Sequence, residues 1–152
     1  MSFTGSDGTR GARQPQGKVA LWLNKQMMRR VRRTGRAMGF NALVLTTVGR
    51  KTGAERSSPV GWFPGPDGTW LIVASANGAA RNPAWYHNLA AHPDRARIET
   101  AGQSAAVTAE ELHGTERDDA WRQIVTAAPR FGKYEQQTDR VIPIIRLTRR
   151  PA

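Results

Sequence analysis

Hydrophobic residues recur at two different spacings along this chain, and the change of spacing predicts where a helix gives way to strands. Between Lys18 and about Met38, apolar side chains return at every fourth position and cations occupy much of the remaining surface. The apolar positions of this repeat are Val19, Leu23, Met27 and Val31. A period near 3.6 residues is typical of an amphipathic helix, so we predict a basic amphipathic helix over 18–40.

After Gly39 the pattern changes to short runs rich in β-branched and apolar residues, separated by turn formers. The predicted strands are 42–47, 56–63, 69–74, 95–100, 104–112 and 141–147. Turn residues at 64–68 join the second strand to the third as a hairpin, and Ala101-Gly102 joins the fourth to the fifth. Pro143 lies inside the last strand and predicts an edge position, because proline cannot donate to a strand ladder.

Two further helices are indicated by their start signals. Asn82 followed by Pro83 is typical of a helix start, with Asn as the cap and Pro in the first turn. The segment 115–118, Thr-Glu-Arg-Asp, has the form of a capping box for a helix that ends before Pro129. Five or six hairpin-linked strands with two or three helices predict an α+β domain built on a small antiparallel barrel. We assign this domain to 41–150 and expect 1–17, which is poor in apolar residues, to be a disordered tail.

The length of 152 residues suits one domain, and the composition excludes several kinds of chemistry. The chain has no cysteine, which excludes disulfides, thiolate nucleophiles and Cys-ligated metal sites. No apolar run approaches the ~20 residues of a membrane-spanning helix, and Ala20–Leu23 is too short for a signal-peptide core. We therefore expect a cytoplasmic protein.

The net charge of +11 is concentrated in the N-terminal third of the chain. No acidic residue occurs between Asp7 and Glu55, whereas the same window holds eleven cations, and the twelve cations elsewhere balance the twelve acids. The basic helix can pack on the domain with a solvated charged face, or lie on an anionic surface at the inner face of the cell membrane. Nucleic acid is not an expected partner, because the chain has neither a binding fold nor aromatic residues interleaved with the cations.

Three cations and several hydroxyl groups crowd the glycine-bracketed segment 46–59, which we call the anion turn. Glycine allows close backbone approach to a ligand, Arg presents a planar fork to phosphate or carboxylate, and Lys adds a point charge. The same residues also suit an ordinary basic hairpin turn, so both interpretations stay open at this point. A nucleotide-triphosphate loop is disfavoured, because Arg50 stands where such a loop has a glycine before its lysine. The three histidines have no carboxylates spaced to complete a metal site, so we expect no metal.

Four segments, taken in order, resemble the deazaflavin-dependent nitroreductase family. They are Leu45-Thr46-Thr47-Val48-Gly49-Arg50-Lys51-Thr52-Gly53 with Arg56 and Pro59, then Val73-Ala74-Ser75, then Asn82-Pro83-Ala84-Trp85-Tyr86-His87-Asn88-Leu89, and finally Thr138-Asp139-Arg140-Val141-Ile142-Pro143. The resemblance covers roughly 43–147. It implies a split β-barrel of the FMN-binding-like type, an oxidoreductase that binds the deazaflavin coenzyme F-420 and passes its hydride to an organic acceptor.

The resemblance also implies which residues hold the coenzyme, which carries a phosphate and a polyglutamate tail. In the anion turn the implied contacts are Arg50, Lys51, Thr52, Arg56, Ser57, Ser58 and Pro59. The segment along the deazaflavin ring is Val73, Ala74, Ser75 and Ala76, and the flanking helix contributes Trp85, Tyr86 and Asn88. Apart from the resemblance, Trp85 and Leu89 at four-residue spacing are typical of core positions.

The acceptor site implied by the resemblance departs from the family pattern. Members that reduce bulky nitroimidazoles have several tyrosines in the segment that here reads 127–134, of which Tyr134 remains. The substrate-binding candidates are Gly61, Ala128, Phe131 and Tyr134, and the candidates for stabilising or protonating the acceptor are Tyr134 and Ser75. The expected acceptor is a quinone such as menaquinone, which suits a wide apolar pocket, or another activated C=C or C=O compound or a nitro compound. An FMN-binding split-barrel oxidoreductase and a coenzyme carrier without turnover stay open, as do a monomer and a homodimer.

Overall fold

A computed structural model describes residues 3–11, 17–37 and 39–151, and the apolar runs of the sequence form its strands. The strands are β1 (Arg36–Ala37), β2 (Phe40–Val48), β3 (Glu55–Pro64), β4 (Trp70–Val73), β5 (Ala96–Thr100), β6 (Gln103–Glu111) and β7 (Ile144–Arg149). The helices are α1 (Lys18–Thr34), α2 (Ala84–Ala91), α3 (Gly114–Ala127) and α4 (Arg130–Gln137), with short 3₁₀ helices at Pro66–Gly68 and Ala76–Gly78.

Six antiparallel strands close into a barrel, because β2 is long enough to pair with two neighbours. The order is β2-β3-β4-β7-β6-β5, and β5 returns to β2, where Leu45 lies opposite Ile98. The barrel interior holds a continuous apolar cluster that includes Leu43, Leu45, Ile72, Ile98, Ile145 and Leu147. A closed barrel leaves no long unpaired edge among these strands. The expected α+β split β-barrel is therefore confirmed.

A second apolar cluster joins α3 and α4 to one side of the barrel. Its members include Phe63, Trp121, Ile124, Phe131 and Ile144. The rings of Phe63 and Phe131 meet edge to face, with centroids 5.7 Å apart. This packing fixes the start of α4 against β3, which places its side chains at the cavity described below.

Helix α1 is shorter than predicted and is docked at its C-terminal half. It ends at Thr34, since Gly35 adopts the left-handed conformation (φ 72°) that closes a helix. Val31 packs with Ala42 and Val44, and Arg32 pairs with Glu99 at 3.3 Å. The apolar side chains of the first half remain more than half exposed, namely Val19, Leu21, Trp22 and Leu23. Within residues 3–11, 17–37 and 39–151, no helix is long and apolar enough to cross a bilayer.

Residues 3–11, which we call the N-terminal strap, contact the domain at several points, and the expected disorder of 1–17 stays a prediction. Phe3 packs edge to face on Tyr86, and the other contacts are hydrogen bonds. These hydrogen bonds include Gly5 N to Tyr86 Oη (2.6 Å), Asn82 N to Asp7 Oδ1 (2.9 Å), Gly8 N to Ala80 O (2.6 Å) and Thr9 N to Asp139 Oδ1 (2.8 Å). A segment poor in apolar residues is thus held by one ring, by its backbone amides and by the side chains of Asp7 and Thr9. Residues 12–16 of the expected tail lie outside the described residues.

Several local predictions are wrong for identifiable reasons. Helix α2 has Pro83 at its N-cap without a side-chain hydrogen bond, because the Asn82 amide oxygen accepts from Arg140 instead. Helix α3 begins at Gly114, one residue before the predicted capping box, and it also lacks a side-chain cap. Pro143 precedes β7, which lies between β4 and β6 rather than at an edge, and its carbonyl accepts from Ala74 N at 2.9 Å.

Helix α4 is absent from the sequence prediction. Gly132 within it and Pro129 before it are residues that weaken or interrupt helical patterns. The helix forms because Phe131 is buried among the α3 side chains, so tertiary packing overrides local propensity.

Candidate functional site

A cavity of about 1000 Å³ lies where α1, β3, the segment after β4, and the starts of α2 and α4 meet. Its walls are largely apolar, as in most small-molecule sites. Nine residues named from the sequence line it, namely Ser58, Pro59, Gly61, Val73, Ser75, Ala76, Trp85, Phe131 and Tyr134. These residues come from four separate elements, so the barrel and α4 bring together groups that are far apart along the chain.

The segment 74–82 forms one edge of the cavity and is held by the buried guanidinium of Arg140. Three of its four hydrogen bonds go to backbone carbonyls and one to the Asn82 side chain. The acceptors are Ala79 O (2.9 Å), Ala74 O (2.9 Å), Ser75 O (2.7 Å) and Asn82 Oδ1 (2.7 Å). Arg140 is 5% exposed, and this burial lowers the pKa of its guanidinium. Carbonyl dipoles thus replace a carboxylate partner, and they fix the backbone next to Ser75.

Close packing of α4 on the same segment depends on Gly78. This glycine has φ 80°, and a Cβ there would lie 2.7 Å from Gln137 Oε1 and 3.2 Å from Tyr134 O. Ala76 also has a positive φ, 45°, which is unusual for a residue with a side chain. The strained turn and the glycine contact together hold Ser75 and Tyr134 on neighbouring walls of the cavity.

Asn82 lines the cavity and carries a buried amide donor. Its Oδ1 accepts from Arg140, and since a guanidinium can only donate, the amide orientation is fixed by this bond. The Nδ2 atom is buried and has no hydrogen-bond partner within the part of the chain that the structure describes. A buried amide donor without a partner costs free energy, and a bound ligand with a carbonyl or ring nitrogen would satisfy it.

The anion turn forms the β2–β3 hairpin loop, and its cations face solvent. Arg50, Lys51 and Arg56 are exposed, and among the described residues their side chains make no ion pair or hydrogen bond. Asn88 fixes the loop from α2, since its Oδ1 accepts from Arg50 N and its Nδ2 donates to Thr47 Oγ1, each at 3.1 Å. Asn88 on α2 therefore fixes the backbone of the anion turn at Arg50 and the side chain of Thr47 at its start.

Several predicted residues lie elsewhere. Ala74 and Ala128 are core residues, and Tyr86 is buried with its hydroxyl bonded to Glu111 and Gly5. Burial and the Glu111 hydrogen bond raise the pKa of Tyr86. The hydroxyls of Ser57 and Thr52 are used within the hairpin, by Thr46 Oγ1 (2.9 Å) and Ala54 N (3.2 Å). None of these five side chains lines the cavity.

Other residues of the site are missed by the sequence interpretation. Arg81 and Arg130 line the cavity as additional cations, and Arg140 organises one edge of it. Arg140 gave one available signal, because it lies within the fourth segment of the family resemblance, 138–143. For Arg81 and Arg130 the sequence contains no signal that distinguishes them from surface cations.

The comparisons with known proteins concern most of the chain. The family model described as F420H(2)-dependent quinone reductase matches residues 21–149. An F420H(2)-dependent quinone reductase of Mycobacterium tuberculosis is 40% identical over 113 residues, covering 72% of this chain and 74% of the relative.

Two solved structures are similar to this chain. A protein described as F420-H2 Dependent Reductase (FDR-A) has a TM-score of 0.62 and 32% identity, with 70% of this chain and 93% of that chain covered. A second, described as a domain-swapped dimer, has a TM-score of 0.64 and 29% identity, with 86% and 100% covered.

Proposed function

This chain belongs to the F420H(2)-dependent quinone reductase family, and we propose that it reduces quinones with the reduced deazaflavin coenzyme F-420 in the cavity described above. The observation that carries the proposal is the convergence of Ser75, Phe131 and Tyr134 on one largely apolar cavity. The cations of the anion turn lie on the same β2–β3 hairpin, and one of them, Arg56, is two residues from Ser58 on the cavity wall. A ligand with a flat apolar ring and an anionic tail matches this distribution.

The residues present fit the coenzyme. The unpaired Nδ2 of Asn82 would donate to a polar atom of the ring system, and the small side chains of Ser75 and Ala76 leave room for a flat ring edge. Arg50, Lys51 and Arg56 would hold the phosphate and the polyglutamate tail. Asn88 would act indirectly, by fixing the backbone of Arg50.

When bound, the reduced coenzyme supplies a hydride, so the protein contributes orientation, electrostatics and exclusion of water. Phe131 and Tyr134, whose ring centroids are 5.4 Å apart, form an aromatic wall for a planar acceptor. The hydroxyls of Tyr134 and Ser75 are the donors proposed to stabilise or protonate the reduced acceptor. Nitro compounds are not the proposed substrates, since one tyrosine remains in this segment.

A titration and a turnover assay test the proposal together. We expect F-420 to bind more tightly than FMN in a fluorescence titration, because the flavin nucleotide has no polyglutamate tail for the turn. Adding a menaquinone analogue to the reduced coenzyme with enzyme should restore the absorbance of oxidised F-420. Preference for FMN would overturn the cofactor proposal, and binding without reoxidation by any quinone would identify a carrier or another acceptor.

The anion turn has its own test. Arg50→Ala with Lys51→Ala should weaken F-420 binding roughly tenfold or more, since each charged hydrogen bond contributes ~1.5–3 kcal/mol. The loss should shrink at high salt because exposed charges are screened. Lys25→Ala with Arg29→Ala removes the same charge from α1 and serves as the control. An equal loss of F-420 affinity in the two double variants would mean that only net charge matters, which would contradict a specific site.

We further propose that the first half of α1 binds an anionic membrane surface. Trp22 is 59% exposed beside the cations of α1, whereas Val19, Leu21 and Leu23 also line the cavity. An exposed aromatic ring among cations is typical of interfacial helices, and each Lys or Arg near such a surface adds ~1 kcal/mol. This arrangement would place the cavity beside the lipid phase that holds menaquinone.

Vesicle sedimentation tests the membrane proposal. Trp22→Glu should release the protein from phosphatidylserine-containing vesicles without lowering turnover of a water-soluble quinone. Val141→Glu is the control, because Val141 is also an exposed apolar side chain (73%) but does not line the cavity and lies outside α1. Equal vesicle binding by the two variants would overturn the proposal.

We also propose a homodimer, supported by the solved relative that is described as a domain-swapped dimer. The dimer is described for the relative, so the mass of this protein in solution tests whether it forms one. Sedimentation equilibrium should give twice the 16.7 kDa chain mass, and a monomeric mass would contradict the proposal.

A further inference from the structure

Arg130 is a cation that lines the cavity and has no anionic partner in the described ranges 3–11, 17–37 and 39–151. Its guanidinium stacks on Phe40, with the central carbon 3.7 Å from the ring centroid, and lies 5.7 Å from the centroid of Phe131. Its Nε is buried and has no hydrogen-bond partner, and among the described residues Arg130 makes no ion pair. Other arginines behave differently, since Arg97 and Arg146 pair with carboxylates.

Local structure does not account for this placement. Arg130 is the first residue of α4, where the helix dipole disfavours a positive charge. Partial burial of a charge without a partner also costs free energy. Stacking on Phe40 offsets part of that cost, by about 0.5–2 kcal/mol, but leaves the donors of the guanidinium unused.

Arg130 is also distant from the anion turn. Phe40 begins β2, and Thr47, which pairs with Arg56, comes seven residues later in the same strand. At ~3.3 Å per residue the two ends of this strand are roughly 23 Å apart. Arg130 therefore lies at the opposite end of the hairpin from the cations proposed to hold the phosphate, and it shares its end with Phe131 and Tyr134.

We infer that Arg130 binds a carbonyl oxygen of the quinone acceptor and stabilises the oxyanion formed on it. This inference rests on the proposed function. In the reaction a quinone gains a hydride, which is two electrons and one proton, and becomes the quinol monoanion as the reduced coenzyme becomes oxidised. A second proton, from Tyr134 or water, completes the quinol. The negative charge develops on an oxygen, and a preorganised guanidinium stabilises it more than the neutral quinone.

The inference also specifies the acceptor class. A guanidinium stacked on an aromatic ring can approach an oxygen in the plane of a flat acceptor, so Arg130 favours quinones that have an unhindered carbonyl. A quinone whose quinol is a weak acid forms a strongly basic oxyanion when it is reduced. The reduction rate of such quinones should therefore depend most on Arg130.

The test compares Arg130→Met and Arg130→Lys over a series of quinones whose quinols differ in acidity. Arg130→Met should lower kcat/KM roughly 100-fold for quinones of weakly acidic quinols, as does removal of an oxyanion donor in other enzymes. The loss should be much smaller for quinones of strongly acidic quinols, and Arg130→Lys should recover part of it. Lys133→Met is the control, because it removes a cation from the same helix outside the cavity.

Other outcomes separate the inference from the proposed function. If the unmodified protein reduces none of the quinones, the proposed function fails before Arg130 is tested. If the unmodified protein turns over and Arg130→Met loses the same factor for every quinone, or none, the inference is overturned. Weaker F-420 binding by Arg130→Met would place the residue in the cofactor site and would also overturn it. Thermal unfolding of each variant, with Phe40→Leu as a second variant that removes the stacking ring, distinguishes misfolding from these results.

Discussion

Replacement of Arg140 by Met tests how the cavity edge is built. The methionine keeps an unbranched apolar stem but removes every donor. Four acceptors that now receive bonds of 2.7–2.9 Å would be left inside the protein, three of them backbone carbonyls of the segment 74–79. Because that segment carries Ser75 and Ala76 to the cavity, the change should affect both stability and binding.

The magnitude follows from the count of bonds. At ~1.5–3 kcal/mol for each charged hydrogen bond, four bonds contribute about 6–12 kcal/mol before desolvation is considered. Burial of the guanidinium offsets much of this sum, as its lowered pKa indicates. Each buried acceptor left without a donor costs ~1–3 kcal/mol, so after the relief of the guanidinium desolvation we expect a net loss of about 3–5 kcal/mol. For a domain of this size that corresponds to a decrease in Tm of roughly 6–20 °C.

Urea unfolding followed by tryptophan fluorescence measures the loss, and amide hydrogen exchange locates it. Relative to the unmodified protein, Arg140→Met should increase the amide exchange rate more at 75–82 than in the barrel strands. Arg140→Lys is the control, because an ammonium keeps the charge but cannot reach four acceptors in the geometry of a planar fork, so its loss should be smaller. A loss below about 1 kcal/mol for Arg140→Met, or equal losses for both variants, would refute the reasoning.

Three other changes test the supports of the site. Asn88→Ala should weaken F-420 binding by about 1–2 kcal/mol while the salt dependence of binding persists, since the cations remain and only the backbone of Arg50 is released; an unchanged Kd would contradict this. Gly78→Ala should destabilise the protein by ~1–3 kcal/mol in urea unfolding, because φ is 80° and the new Cβ would lie 2.7 Å from Gln137 Oε1, whereas Gly68→Ala, with φ 76° and open space, should cost less. Bonds from Thr9 and Arg10 lower the pKa of Asp139 from 3.8 to about 2, so this stabilisation of the strap is complete above pH 3.8 and is lost as the pH falls toward 2. Exchange at the amides of Thr9 and Arg10 should accelerate over that interval, and Asp139→Asn should abolish the pH dependence.

The barrel could be predicted because its signals are local. Each strand is marked by its own β-branched and apolar residues and is bounded by turn formers, as at Ala101-Gly102, where both residues adopt positive φ. The anion turn could be located for the same reason, since its glycines and cations are contiguous. Asn88 was named from the resemblance, but its bond to Arg50 N depends on the fold.

The roles of Arg130 and Arg140 could not be predicted, because they depend on partners distant in sequence. Arg140 bonds to Ala74 O across 66 residues, and Arg130 stacks on Phe40 from another element. The sequence pattern of a cation is the same whether it is solvated, stacked or buried. A solvated, a stacked and a buried cation differ in their burial and in the hydrogen-bond acceptors around them, and both are properties of the folded chain.

The N-terminal strap shows that glycine can indicate close contact where composition indicates disorder. Gly5, Gly8 and Gly11 recur at every third position, and a Cβ at each would meet the domain within 3 Å. A Cβ on Gly5 would lie 2.6 Å from the Tyr86 hydroxyl, and one on Gly11 would overlap the backbone at Ala80. The periodic glycines therefore allow a segment poor in apolar residues to lie against Arg140 and the segment 74–82. There Asp7 Oδ1 accepts a hydrogen bond from Asn82 N. By this argument the strap is part of the support of the cavity edge, although it contributes no side chain to the cavity itself.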